Sequence, residues 1–115
     1  MKKNNEDCLL YFINVCLALT ELVATTIACR QNPTKKAVTK NRLKEIFTVA
    51  FVGFEDSLIF SSNSKIQEEI DRGISPMIKN LRRFKEEDNE KYLVEIFKNE
   101  ETTKDSILKI INLCK

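Results

Sequence analysis

The chain has 115 residues, 43% hydrophobic and 31% charged, a globular composition that excludes a disordered segment and lets one domain, residues 1–115, bury a core without metal or disulfide staples. It has only two Gly and two Pro, where average usage would give roughly eight and about six; turns draw on these residues, so a many-stranded sheet is excluded and long helices with few connections are expected. The net charge is +2, with eight Lys/Arg against four Asp/Glu in residues 1–54 and eleven against thirteen in residues 55–115, and neither half is extreme enough to demand a nucleic-acid or membrane partner.

The first element lies in "CLLYFINVCLALTELVATTIAC", residues 8–29. Three readings compete: a secretory signal, a membrane anchor and the central helix of a bundle. Lys2 and Lys3 form a basic start, and the run ends in Ala-Cys like a lipoprotein cleavage site. Against a signal, Glu6 and Asp7 sit between the lysines and the apolar run, Asn14 and Glu21 interrupt it, and Thr26 stands where a large aliphatic is expected. The length suits a membrane span, but a carboxylate at that depth, Glu21, is costly. On a helical wheel Lys3, Asp7, Asn14, Glu21 and Thr25 fall within roughly 40° of one another. A buried central helix that touches water along one narrow seam has that pattern, and it is the preferred reading.

The cysteines are Cys8, Cys16, Cys29 and Cys114. None forms a C-x-x-C pair and there is no His, so no zinc-ligand spacing exists and no metal or other cofactor is expected. On one helix Cys8 and Cys16 stand about 12 Å apart along the axis, beyond disulfide reach. Free thiols and a cytoplasmic location are expected, with a bridge from Cys114 left open.

Residues 30–44 follow, "RQNPTKKAVTKNRLK". Asn32-Pro33 ends the first helix, because the residue before Pro is pushed out of the helical region, and Thr34 or Thr39 would cap the next one. Leu43, Ile46, Phe47, Ala50, Phe51, Phe54 and Leu58 recur at three- and four-residue steps, an amphipathic helix of about 20 residues. Val49, Val52, Ile59 and Phe60 widen its apolar surface, and Gly53 offers a point of close backbone approach. "SSNS" at 61–64 is a break, and Ser64 with Gln67 reads as a capping box.

Ile66, Ile70, Ile74, Met77, Ile78, Leu81 and Phe84 then keep one apolar face across "RGISP". This is either one helix kinked near Pro76 or two helices with Ser75 as N-cap and Pro76 at the first helical position. Tyr92, Leu93, Ile96 and Phe97 mark a short helix. Ile107, Ile110, Ile111 and Cys114 mark the last, with Thr102 and Asp105 as its capping box. The expected fold is all-α, an antiparallel bundle of about five helices around a long central N-terminal helix.

Two stretches carry candidate contact residues. Residues 30–44, read as a basic loop, contribute Arg30, Lys35, Lys36, Lys40 and Arg42; "KNLRRFK" at 79–85 contributes Lys79, Arg82 and Arg83. Both could meet phosphates, but residues 30–44 interleave no aromatics for base stacking. Pairs such as Arg82–Glu86 and Arg83–Glu87 account for the second run without a ligand. Residues 66–85 have the outline of a helix-turn-helix, but Glu69, Arg72 and Lys79 occupy positions that the motif keeps small or apolar.

Enzyme chemistry finds no footing. There is no His to act as base, no Gly-rich phosphate loop, and the adjacent pairs Glu68/Glu69 and Glu86/Glu87 diverge on a helix. The expectation is a non-catalytic protein–protein interaction module (adaptor, regulator or inhibitor), with another protein or a second copy as partner. The first helix is too apolar for its neighbours to cover easily, which points to a homodimer. A small nucleic-acid-binding regulator using residues 30–44 and 72–85 is the alternative, and a membrane role is not favoured.

Overall fold

The computed structural model describes residues 5–29, 31–51 and 63–114, with side chains for 9–29, 31–49 and 63–114. Among the described residues there are five helices and no strand: α1 (Asn5–Ala28), α2 (Pro33–Phe51), α3, α4 (Lys91–Lys98) and α5 (Glu100–Cys114). Helix α3 runs as Ser64–Glu69, a π-helical turn Ile70–Ile74, and Ser75–Glu87. The all-helical expectation therefore holds.

Helix α1 packs against α2, α4 and α5. It sends Leu9, Phe12, Ile13, Cys16, Leu19 and Val23 into the core. Asn14, Glu21 and Thr25 are exposed as expected, but so are Tyr11, Ala18 and Ala28, so the water-facing sector spans about 100° of the wheel and is wider and more apolar than the expected seam. Lys3 and Asp7 lie outside the described side chains. Thr20 and Thr26 are buried, and each Oγ1 donates to a carbonyl four residues back, Cys16 and Leu22, at 2.8 Å; that local bond is how a hydroxyl enters an apolar helix face. Met77 Sδ lies 3.4 Å from Thr20 Oγ1 and ties α3 to α1. Leu9–Ala28, with mean hydropathy 1.7, is long and apolar enough to cross a membrane by length and composition, a property that a buried core helix shares.

Three helix starts differ from expectation. Asn32-Pro33 does more than end α1: Asn32 Oδ1 accepts from Lys35 N at 3.1 Å and Pro33 is the first helical residue, the favoured place for a residue with no N–H to give. Thr39 does not cap; it is buried mid-helix and its hydroxyl donates to Lys35 O at 2.8 Å. The supposed basic loop is thus helical from residue 33. The cap of α3 is Asn63, whose side chain accepts from Lys65 N and Ile66 N, so Ser64 is the first helical residue and makes no capping box. Thr102 and Asp105 lie inside α5, which begins at Glu100. Gly53, Phe54 and Leu58 lie outside the described residues, as do Val52, Ile59 and Phe60.

At Pro76 the chain runs on as one helix, and Ser75 is not an N-cap. Ser75 has helical dihedrals, and its N–H donates to Ile70 O, one residue further back than in an α-helix. The π turn absorbs the proline where an α-helical ladder would be broken. Ile66, Ile70, Ile74, Met77, Ile78, Leu81 and Phe84 are all buried across it. Gly73 sits in the π turn against α5: a Cβ there would fall on Ser106 Oγ, 2.6 Å from Ser106 Cβ and 3.0 Å from Thr102 O. The close backbone approach is therefore made by Gly73 and α5.

Candidate functional site

The basic residues of α2 divide by face. Lys36, Lys40 and Lys44, spaced four apart, share one side of the helix and meet the acidic turn between α3 and α4. Lys36 Nζ is 2.7 Å from Glu90, and Lys44 Nζ is 2.7 Å from Asp88. Lys40 Nζ stands between the two, 3.8 Å from Asp88 and 3.9 Å from Glu90. Below them lies the Phe84 ring, with Lys40 and Lys44 Nζ at 5.7 and 5.0 Å from its centroid, within cation–π range. Asp88 ends α3 in the left-handed conformation, φ 53°, with its N–H on Phe84 O. The hydrogen bond from Lys44, then the charges of Lys40 and Lys44, hold its carboxyl below the usual carboxylate range.

The candidate contact residues are therefore not one patch. Lys36 and Lys40 are brought together, but by carboxylates of the same chain. Lys35 and Arg42 are exposed on the outward side of α2, and Lys79, Arg82 and Arg83 are exposed on α3. Arg30 lies outside the described residues. Lys44 belongs with Lys36 and Lys40, and the four-residue spacing was its signal in the sequence. The helix-turn-helix outline also gives way, because Gly73 lies in a helical turn within α3 and the chain makes no reversal there.

A second cluster joins α3 to α5. Arg72 bridges Glu69 at 2.7 Å and Asp105 at 2.6 Å, Lys109 approaches Asp105 at 3.3 Å, and Ser106 Oγ donates to Glu69 at 3.2 Å. Hydrogen bonds from Arg72 and then Lys109 hold the Asp105 carboxyl below its usual range. A cavity of ≈ 130 Å³ opens beside it, lined by Pro76, Met77, Asn80, Asn99 and Thr103 among others. The amides of Asn80 and Asn99 donate to Pro76 O and Glu95 O, so they brace their own helices.

Cys16 and Cys29 form no disulfide, and burial pushes the Cys16 thiol far up, which suppresses the thiolate a nucleophile needs. Among the described residues no group of three or more Cys, Asp or Glu side chains is placed to hold a metal.

The outward face of α2 has a different character. Lys35, Val38, Arg42, Glu45 and Val49 are all exposed, Val38 at 62% and Val49 at 81%. Arg42 and Glu45 make no ion pair among the described residues. Phe97 on α4 and Leu108 on α5 are also exposed. The chain matches no family model, no curated protein and no solved structure.

Proposed function

We propose that the protein is a non-catalytic interaction module, an adaptor, regulator or inhibitor acting through protein–protein contact in the cytoplasm. Its helices form an antiparallel bundle around α1. The short link from Ala28 to Pro33 and the packing of α1 on α2 support that arrangement. The observation that carries the functional reading is the division of α2. Lys36, Lys40 and Lys44 are neutralised within the chain, while its outward stripe keeps two valines in water. Apolar side chains held in water on a rigid helix are the raw material of an interface.

The reading is tested by two measurements on the full chain. Affinity capture from native extract should retain a specific protein partner or the chain itself. The folded double variant Val38→Asp with Val49→Asp should lose it. Titration with duplex DNA and single-stranded RNA should give flat curves at all salt concentrations. A steep salt-dependent affinity would replace this reading with the nucleic-acid one.

A further inference from the structure

We infer that the outward stripe of α2 is a self-association surface, occupied by α2 of a second copy lying antiparallel across it. The inference rests on the interaction-module reading and names its partner. Lys35, Val38, Arg42, Glu45 and Val49 are spaced three, four, three and four residues apart, the repeat by which one helix meets another along a seam, and all five are exposed. Valine is a poor choice for a helix face left in water, since its branched side chain lowers helix propensity and gains no burial. A facing helix supplies that burial.

The charges fix the register. Place a two-fold axis midway between Leu43 and Lys44 along the stripe. Val38 then faces Val49 of the second copy, and Arg42 faces its Glu45. The same two contacts repeat on the other side of the axis. The stripe is thus its own complement: two opposite-charge layers flanked by two apolar ones. An antiparallel pair centred on Arg42 sets Arg42 against itself, and one centred on Glu45 does the same for Glu45. A parallel pair in register sets both like charges face to face. Each of these is repelled. Four layers along a single helix make a small interface, so the dimer is weak and depends on concentration.

Sedimentation velocity of the full chain tests this. The average mass should rise from 13.3 kDa toward twice that value as concentration increases. Arg42→Glu and Glu45→Arg should each weaken association at least about tenfold, because each creates two like-charge layers. A mixture of these two single variants should associate again, since every charged layer then pairs Glu with Arg, and the double variant R42E/E45R should self-associate like the wild type. Arg42 and Glu45 both face water, so circular dichroism should show unchanged helix content in every variant. A wild-type chain that stays monomeric overturns the inference, while the broader reading stands if capture finds a different protein. Single variants that dimerise as well as the wild type, or a mixture that fails to associate, overturn it too.

Discussion

Gly73 marks the closest approach of α3 to α5. Any Cβ there meets Ser106 Cβ at 2.6 Å and the Thr102 carbonyl at 3.0 Å, and neither can swing aside without moving the α5 backbone. Gly73→Ala gains helix propensity but overpacks the crossing, and the net cost is about 1–2 kcal/mol in a urea titration. A melting temperature at or above wild type would place the two helices further apart. At Asp88 the sign follows from charge. Its carboxyl is held below the usual value by Lys44 and Lys40, so its stabilising effect is complete above the unfolded carboxylate value of about 3.9. It is lost as pH falls through the lower folded value. Asp88→Asn tolerates the left-handed backbone and removes the charge. Its unfolding midpoint should fall below wild type at neutral pH and converge with it in acid; the group is exposed, so the gap is small.

Helix ends show how far an element is legible from its residues. The spacing of apolar residues located each described helix, but caps were displaced by one to three positions. Asn63 and Ser64 are both good capping residues, and only the backbone decides which hydroxyl or amide reaches the free N–H groups. Asn63→Ala should cost about 1 kcal/mol in chemical denaturation, while Ser64→Ala should change stability by less than about 0.5 kcal/mol; the reverse ranking would return the cap to Ser64. The π turn of α3 has a sequence cause. Ile66, Ile70, Ile74 and Ile78 recur every four residues, and in an α-helix each such step advances the stripe by about 40°. The wider π turn takes up that drift as well as the missing N–H of Pro76. The even four-residue spacing was visible, but its consequence depended on α5 holding Gly73 from the other side.

At the level of the molecule, Phe84 couples α3 to α2: it is buried under Lys40 and Lys44, beside the acidic turn. Phe84→Ala should destabilise the fold by about 3–5 kcal/mol, measured by urea unfolding, and should also loosen the lysine–carboxylate cluster. A loss below about 1 kcal/mol would mean that the ring is not a shared anchor. Chain composition and periodicity were enough to determine an all-helical fold and the exposure of Asn14, Glu21 and Thr25 on α1, because partition between core and water acts on each helix face locally. They placed the second basic run on a helix but left the first, residues 30–44, as a loop, although it is helical from Pro33. Only the tertiary structure decided which charges meet. Lys44 and Asp88 lie 44 residues apart in sequence, and Arg72 and Asp105 lie 33 apart. No local pattern records such a separation, since electrostatic pairing depends on distances set by how the helices are laid against one another. That packing turned three lysines inward onto carboxylates and left Val38, Arg42, Glu45 and Val49 facing out.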